Sequence, residues 1–382
     1  MKPLENIIVL ELCQYMAGPS AGLRLADLGA RVIKVERPLT GDAGRQLAIK
    51  DLFIDGNSVL FHTINRNKES YAADLKNPRD LEKIRELIAK ADVLTHNFRP
   101  GVMKRLGLDY QSVRRINPRI IYSEITGYGS EGPWRDKPGQ DLLIQALSGL
   151  TWLSGDKDDP PTPFGLSIAD TLCGIHLTQG ILAALIRRHK TGMGALIEVN
   201  LLASVVDFQF EVITTYLNDG GKDPERAIQG NGHAYLSAPY GVYRTRDGFL
   251  VLAMGDLMRL GQQTGCEAIT KYDDKNDWFL KRDEILRSLG EVISQKTTGE
   301  WLAVLEPADI WCAEVMDYGR FLAHEGYRAL QMDQQIRLPS GKTVTTTRCP
   351  IRIDGERYFS SRPGPVLGAD TGTIDQEFSI RT

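Results

Sequence analysis

Short apolar runs and segments of helical spacing follow one another through the first half of the chain. Continuous apolar runs are typical of buried strands, and apolar positions three or four apart are typical of helices. These patterns predict strands at 7–12, 32–35, 71–75, 93–96, 120–125 and 196–200, and helices at 19–28, 78–90, 110–116 and 171–188. Strands that alternate with helices through short connections form a parallel sheet covered on both faces. We therefore predict a doubly wound α/β domain.

The pattern changes in the second half of the chain. A second apolar helix is expected after the strand at 196–200, ending near Leu217. Residues 218–233 are rich in glycine and charge, which predicts a linker and a domain boundary. Beyond it, apolar runs at 240–243 and 249–253 flank a short polar turn and predict a hairpin. Further helices are predicted around 284–294 and 298–305, and strands at 343–347 and 351–353.

Composition and charge narrow the classes of function. The 382 residues include 46 Lys and Arg against 49 Asp and Glu, so the formal net charge is −3 and neither nucleic acid nor an anionic membrane is an expected partner. A chain longer than roughly 250 to 300 residues favours two structural units. No run of about 18 uncharged apolar residues occurs, so we predict no transmembrane helix. The five cysteines form no Cys-x-x-Cys pair, which favours the reducing cytoplasm without disulfides or a zinc site.

The turn between the first strand and the first helix is one candidate site. Residues 14–19 lead into a helix N-terminus, where backbone N–H groups can meet a phosphate. Glu36 ends the second strand, as an acidic residue does in dinucleotide sites, but the sequence lacks Gly-x-Gly-x-x-Gly. A nicotinamide oxidoreductase is therefore kept as an alternative, and a tight strand-to-helix connection is the plainer interpretation.

Cationic and amide side chains follow several of the predicted strands. They are Arg37, Lys76, Asn97, Arg99, Lys104 and Arg105. Because the carboxyl ends of parallel strands share one edge of a sheet, these groups can converge on an anionic ligand, although each alone is an ordinary solvated charge. No Gly-x-Ser-x-Gly motif and no Walker loop occurs, which argues against the serine hydrolase and P-loop classes.

Asp170 stands at the start of the long predicted helix at 171–188. Aspartate is a preferred N-cap residue, so a purely structural cap is one interpretation. The helix dipole also keeps a carboxylate ionised here, and an ionised carboxylate can attack an acyl carbon. Both roles stay open at this point. His176 and His189 on the same helix are expected to be exposed or internally satisfied, because the histidines have no metal-ligand spacing.

Eight segments spread along the chain carry a further signal. They include AGPSAGLRLADLGARVIKVERP at 17–38, ADVLTHNFRPGVMKRLGLDY at 91–110 and RPGPVLGADT at 362–371, with the others at 65–78, 117–133, 145–150, the Asp170 helix and 230–248. Together they resemble the class III coenzyme A transferases, the family of formyl-CoA transferase and carnitine CoA-transferase. The resemblance implies a large Rossmann-like domain from 1–220 and 331–382, a linker and smaller α+β domain at 221–330, and an interlocked homodimer.

The same resemblance implies roles for individual residues. Asp170 occupies the position of the family's catalytic aspartate. The residues implied to contact the nucleotide and pantetheine of CoA are Arg37, Lys76, Asn97, Phe98 and Arg105. Those beside the reacting thioester are Tyr15 and Met16. Gly230, Gly232 and Gly241, in the segment that opens the smaller domain, are candidates for a lid or for backbone donors, and ordinary loop glycines are the plainer interpretation.

The implied reaction moves CoA from an acyl-CoA donor to a small carboxylic acid in the cytoplasm. Asp170 would carry first an acyl anhydride and then a CoA thioester. CoA and acyl-CoA are substrates in this chemistry, and neither a permanently bound cofactor nor a metal is expected.

Two other functions fit the same fold. The α-methylacyl-CoA racemases of this family are similar in placing a histidine in a Gly-His-Asp segment, where this chain has Gly139-Gln140-Asp141. Glutamine cannot shuttle a proton at neutral pH, which argues against a racemase. Many transferases have tyrosine there, so Gln140 departs from both patterns. The residues expected to face the acyl or acceptor group are Gln140, Tyr15, Met16 and Tyr235. A CoA-ester binding protein without catalysis is the other alternative.

Overall fold

A six-stranded parallel sheet is the centre of the first half of the chain. The structure is a computed structural model that describes residues 2–381. Up to residue 208 its helices and strands are β1 Ile8–Leu12, α1 Ala17–Asp27, β2 Arg31–Glu36, β3 Phe53–Ile54, β4 Asn57–Ser58, α2 Val59–Ile64, β5 Lys68–Ala72, α3 Pro78–Ile88, β6 Val93–His96, α4 Val102–Leu106, α5 Tyr110–Ile116, β7 Ile121–Thr126, α6 Asp141–Leu147, α7 Ile168–Thr191, β8 Ala195–Asn200 and α8 Leu201–Phe208. The sheet order is β5-β2-β1-β6-β7-β8, and all neighbouring pairs are parallel. The predicted α/β class with a parallel sheet is confirmed.

A smaller antiparallel sheet follows. From residue 209 the elements are α9 Phe210–Asn218, β9 Gly241–Arg244, β10 Phe249–Leu252, α10 Leu257–Thr264, α11 Asp277–Leu280, α12 Arg282–Ile293, α13 Thr298–Leu305, β11 Cys312–Glu314, α14 Tyr318–Ala323, α15 Glu325–Leu330, β12 Asp333–Arg337, β13 Thr343–Thr347, β14 Arg352–Ile353, β15 Glu356–Arg357 and α16 Thr371–Phe378. Strands β11, β10 and β9 form the antiparallel sheet in that order. The predicted hairpin is the β9–β10 pair.

The chain divides into two compact units. The first contains the residues up to 144, 167–208 and those from 329 onward, and the second contains 145–166 and 209–328. One core cluster of the first unit lies between the sheet and helices α3, α5 and α16, around Leu10, Ile84 and Ile374. The core of the second unit surrounds Trp301, whose indole N–H donates to the carbonyl of Ile293 at 2.7 Å.

Three elements differ from their prediction in continuity or by three residues at an end. Strand β5 covers Lys68–Ala72 and not 71–75, because Lys68 is buried in an ion pair with Glu11 and so tolerates the sheet interior. The helix expected to end near Leu217 is broken at Gln209 into α8 and α9. Helix α7 begins at Ile168, three residues before the predicted start.

Helix α7 is long and apolar enough to cross a membrane by length and composition, contrary to the expectation that the chain holds no such segment. Its packing within the first unit is that of a core helix. A Cβ atom at Gly180 would lie 2.9 Å from the side chain of Ile197 in β8, and one at Gly174 would collide with α1. The core helix of a protein can have the same length and apolar composition, so we do not assign α7 to a membrane.

Candidate active site

Asp170 lies in the first turn of α7 with a half-buried side chain. The N-cap position of this helix belongs to Ser167, so the interpretation of Asp170 as the cap is wrong. The backbone N–H of Asp170 donates to Oδ2 of Asp141, the first residue of α6, at 3.0 Å. The first turn of α7 therefore brings two aspartates together.

The surroundings of Asp170 raise the pKa of its carboxyl from 3.8 to about 6. Burial is the larger cause, and the negative charge of Asp141 adds to it. No Lys or Arg side chain within residues 2–381 offsets this by an ion pair to Asp170. At pH 7 a group with this pKa is still about 90% ionised. Asp170 is therefore a charged carboxylate held in a poorly solvated place, as expected of a reactive group.

Helices α1 and α7 both begin at the carboxyl edge of the sheet. Near the end of α7, Arg188 donates to the carbonyl of Asp92, which precedes β6. Just after α1, the carbonyl of Leu28 accepts from the N–H of Leu4, which precedes β1. The two helices therefore run side by side from the carboxyl edge toward the amino edge.

The contact between these helices places Asp170 beside the turn that precedes α1. A Cβ at Gly174 would lie 2.2 Å from Oγ of Ser20 and 2.8 Å from the carbonyl oxygen of Ala17. Asp170 is one helical turn before Gly174 on the same face of α7. The turn at residues 14–16 contains Tyr15 and Met16, which are predicted to lie beside the thioester. This turn is therefore at the same end of the α1–α7 contact as Asp170.

Asn97 and Phe98 follow β6 at this edge. The Asn97 amide is engaged with the turn: its Oδ1 accepts from the N–H of Gln14 at 2.9 Å, and its Nδ2 donates to the carbonyl of Gln14 at 2.7 Å. Phe98 stacks on the ring of His96 with 6.1 Å between centroids. Asn97 therefore holds the turn at Gln14, and Phe98 packs against the last residue of β6.

Three of the predicted CoA contacts are exposed cations. Arg37 directly follows β2, Lys76 follows β5, and Arg105 lies in α4 after β6. Within residues 2–381, none of the three forms an ion pair with a carboxylate of the protein. They share the carboxyl edge of the sheet with Asp170, so their charges are available to an anionic ligand.

Glu36 is not available to a ribose. Its carboxylate accepts from Nη2 of Arg45 at 2.7 Å, from Nε of the same residue at 2.8 Å and from Oγ of Ser70 at 2.7 Å. The side chain is 1% exposed. This arrangement argues against the nicotinamide alternative, because the acidic residue on which it depended is used internally.

Gln140 is exposed and directly precedes Asp141. The loop that carries it returns to the end of β7 through a glycine contact, since a Cβ at Gly139 would lie 2.5 Å from Cα of Gly127. That close approach brings Asp141 to the carboxyl edge, where it meets Asp170.

The remaining predicted pocket residues belong to the second unit. Gly230 has a φ of +63°, and a Cβ there would lie 2.3 Å from the carbonyl oxygen of Val242. At Gly232 a Cβ would lie 2.7 Å from the ring of Tyr240. The hydroxyl of Tyr235 donates to the carbonyl of Lys222 at 3.1 Å. A cavity of about 670 Å³ in this unit is lined in part by Gly230. Their role in a substrate pocket stays a prediction.

Several residues of the site were not predicted from the sequence. Asp141 was noted only as part of the segment that argues against a racemase. The buried residues behind the turn are Glu11, Lys34, Asp42 and Lys68. Glu11 and Lys34 are charged residues inside otherwise apolar strands. A charge at such a position indicates a buried ion pair, and this signal could have identified them. Within residues 2–381, no group of three or more His, Cys, Asp or Glu side chains is arranged to hold a metal ion.

Comparison with known proteins identifies the class. The family model for CoA-transferase family III matches residues 4–371. A crystal structure of a CAIB/BAIF family protein from Brucella suis superimposes with a TM-score of 0.84 at 31% identity, covering 99% of both chains. The protein therefore belongs to CoA-transferase family III.

Named enzymes of the family are similar over nearly the whole chain. Succinyl-CoA:glutarate CoA-transferase of Mus musculus is 32% identical over 99% of this chain and 86% of its own. Acetyl-CoA:oxalate CoA-transferase of Acetobacter aceti is 31% identical over 99% of this chain and 96% of its own. This protein is accordingly an enzyme of the CoA-transferase type, for which CoA thioesters are substrates.

Proposed function

We propose that the enzyme transfers CoA between two carboxylic acids through covalent intermediates on Asp170. The observation that carries the proposal is the Asp170 carboxylate itself, which is half-buried, lacks an ion-pair partner within residues 2–381, and has a pKa raised to about 6 by burial and by Asp141. A desolvated but ionised carboxylate is suited to attack a thioester carbonyl.

The proposed reaction has four steps, each an exchange at a carbonyl carbon. A carboxylate oxygen of Asp170 attacks the acyl-CoA carbonyl and expels CoA thiolate, leaving a mixed anhydride. The thiolate attacks the aspartyl carbonyl of Asp170 and expels the donor acid, leaving an aspartyl-CoA thioester. The acceptor carboxylate then attacks this thioester carbonyl and expels the thiolate, which finally attacks the acceptor acyl group and frees Asp170. No step requires a proton, so a site without a general acid suffices.

Exposed cations at the carboxyl edge support the binding of CoA. Its phosphates are the anionic part of the substrate, and Arg37, Lys76 and Arg105 are exposed cations that form no ion pair with a carboxylate among residues 2–381. In this proposal Asn97 and Phe98 line the pantetheine path and Tyr15 and Met16 face the thioester. No permanently bound cofactor takes part.

Small organic acids are the proposed donor and acceptor. The similar enzymes named above act on succinyl, glutarate, acetyl and oxalate groups, which supports a short-chain acid for this chain as well. Gln140 is proposed to face the acyl group. Tyr235, Gly230 and Gly232 stay predicted substrate residues of the second unit. We further propose an interlocked homodimer in the cytoplasm, to be tested by size exclusion and light scattering.

Intact-mass spectrometry tests the covalent step. The wild-type enzyme is mixed with succinyl-CoA or acetyl-CoA, quenched in acid within seconds, and examined for a mass increase equal to CoA less one water. We expect the adduct in the wild type and none in Asp170→Asn, which keeps the size of the side chain but removes the nucleophile. Asp207→Asn, an exposed aspartate of α8, serves as a control that should form the adduct normally.

Two results would contradict the proposal. An adduct of equal yield in Asp170→Asn would place the nucleophile elsewhere. Deuterium from solvent entering the α-carbon of a branched acyl-CoA without any adduct would support the racemase alternative.

A further inference from the structure

We infer that Asp42 is a positioning residue for the acyl-transfer chemistry, and that with Lys34, Glu11 and Lys68 it forms a buried cluster holding the turn at residues 14–16 against Asp170. The inference rests on the proposed function. We call Glu11, Lys34, Asp42 and Lys68 the turn cluster.

The turn has a conformation that needs support. Tyr15 has a φ of +65°, in the left-handed region that a residue with a side chain rarely adopts, and its side chain is 52% exposed. Its backbone N–H donates to Oδ1 of Asp42 at 3.1 Å. The preceding residue, Gln14, is held at both its N–H and its carbonyl by Asn97. Since the Tyr15 side chain is largely in solvent, these backbone contacts must hold the conformation.

The turn cluster also fixes the chain on both sides of the turn. Nζ of Lys34 donates to the carbonyl of Cys13 at 2.8 Å, just before the turn. Nζ of Lys68 donates to the carbonyl of Pro19 at 2.8 Å, in the first turn of α1. The backbone is therefore held before, within and after the turn by side chains of one connected group.

Ion pairs connect the members of the turn cluster. Nζ of Lys34 lies 3.0 Å from Oε1 of Glu11 and 2.8 Å from Oδ2 of Asp42, and Nζ of Lys68 lies 2.8 Å from Oε2 of Glu11. All four residues are at most 2% exposed. Two positive and two negative charges balance, and the loss of one carboxylate leaves a lysine short of a partner in a place that water does not reach.

The cluster lies directly beneath α1. A Cβ at Gly22 would lie 1.8 Å from Oε2 of Glu11, and a Cβ at Gly18 would lie 2.3 Å from Sγ of Cys13. The helix can therefore approach this close only because both positions are glycine. A shift in the cluster would displace the start of α1. Asp170, in the first turn of α7, lies at that end of the contact between the two helices.

Several buried charges in this unit hold structure, but among the described residues 2–381 Asp42 is the buried charged group that accepts from the backbone of Tyr15 in the turn. A displacement of about 1 Å at a reacting group can slow chemistry by about 100-fold while binding of the substrate at remote contacts persists. The expected signature of Asp42 is thus a loss in the rate of the covalent step without a matching loss in affinity for acyl-CoA.

Asp27 provides a matched control. It is the last residue of α1, at the opposite end of the helix, and is 1% exposed. Its Oδ2 lies 3.2 Å from Nη2 of Arg66 and 3.2 Å from Nη1 of Arg24. Asp27→Ala and Asp42→Ala both remove a buried, paired carboxylate from the ends of one helix, but only Asp42 contacts the turn.

The test measures the rate of CoA adduct formation by quenched-flow mass spectrometry, the KM for acyl-CoA, and the thermal midpoint. We expect Asp42→Ala to slow adduct formation at least about tenfold with KM within about threefold of the wild type. Asp27→Ala should lose comparable thermal stability but keep its rate within about threefold. Asp42→Asn, which retains an oxygen to accept from Tyr15, should recover part of the rate.

Each other result overturns the inference. A wild-type rate in Asp42→Ala, an equal loss of rate in Asp27→Ala, or a loss confined to KM contradicts a positioning role. If Asp42→Ala does not fold, Asp42→Asn decides, since it must be slower than the wild type with KM unchanged. A wild-type enzyme that forms no adduct refutes the proposed function and this inference with it, whereas a normal wild type with a normal Asp42→Ala refutes the inference alone.

Discussion

Asp42 binds the backbone of the turn at residues 14–16, and Asp170 begins α7 at the end of the α1–α7 contact nearest this turn. Their carboxylates are in opposite surroundings. Asp42 is 2% exposed, has the ammonium of Lys34 at 2.8 Å, and accepts from the N–H groups of Tyr15 and Gly44. Asp170 is half-buried, and the charge that acts most on it is the like charge of Asp141. A carboxylate whose charge is satisfied internally stabilises structure, whereas one desolvated without a counter-ion is left reactive.

Replacing Lys34, the ion-pair partner of Asp42, should produce the largest effect on stability. Lys34→Met keeps most of the side-chain volume but leaves the Asp42 charge buried without its ion pair, and it removes the donor to the carbonyl of Cys13. We expect the free energy of unfolding to fall by about 3–5 kcal/mol, measured by urea titration. Lys83→Met is the control: its partner is Asp375 and its side chain is 22% exposed, so a loss below about 1 kcal/mol is expected. Equal losses in the two variants would show that burial of the cluster does not matter.

The sequence predicts the elements that carry Asp170 better than it predicts the contacts of Asp42. Apolar strands and helical spacing predict the sheet and the long helix that carries Asp170, because both depend on local pattern. The turn cluster depends on contacts between residues far apart in the chain: Lys68 and Glu11 meet only after β5 has joined the sheet two strands away from β1. Charged residues in apolar strands indicate that partners exist, but not which ones.

The functional residues show the same limit. The resemblance predicts Asp170 and the turn at Tyr15, and in the structure both lie at the same end of the contact between α1 and α7. It does not indicate that the Asn97 amide is bound to Gln14, nor that Asp141 accepts from the N–H of Asp170. The direction of a side chain and its hydrogen-bond partners depend on how distant segments pack together. A single segment of sequence does not contain that information.

Replacing Asp170 should stabilise the folded enzyme. The folded-state pKa of this carboxyl is raised above its unfolded value, so its ionised form opposes folding: the cost is absent at low pH and complete above about pH 6. Asp170→Asn should therefore increase the free energy of unfolding by about 1–2 kcal/mol at pH 8, and the gain should disappear near pH 4. Urea titrations of both proteins across this range measure the difference. A gain independent of pH would mean that ionisation of Asp170 is not its origin.

Asp141→Asn sharpens the contrast by removing the like charge while keeping an oxygen to accept from the N–H of Asp170. Activity requires ionised Asp170, so the rate of adduct formation should fall as the pH drops through about 6 in the wild type. In the variant the pKa of Asp170 should move down, which shifts this acidic limb to lower pH. The shift should be partial, because burial is the larger cause and remains. An unchanged limb in the pH–rate profile would show that Asp141 does not act through charge.

The smallest expected effect concerns the exposed cations, which, like Asp170, form no ion pair in the described part of the chain, residues 2–381. If Arg105 binds a CoA phosphate, Arg105→Gln should raise the KM for acyl-CoA by about three- to tenfold and leave kcat unchanged. The difference should shrink at 0.5 M salt, where exposed charges are screened. Arg114→Gln, in α5 before the amino end of β7, removes another exposed arginine, from the other edge of the sheet, and should change nothing. Equal KM values for the two variants would mean that position at the carboxyl edge does not select the cations that bind CoA.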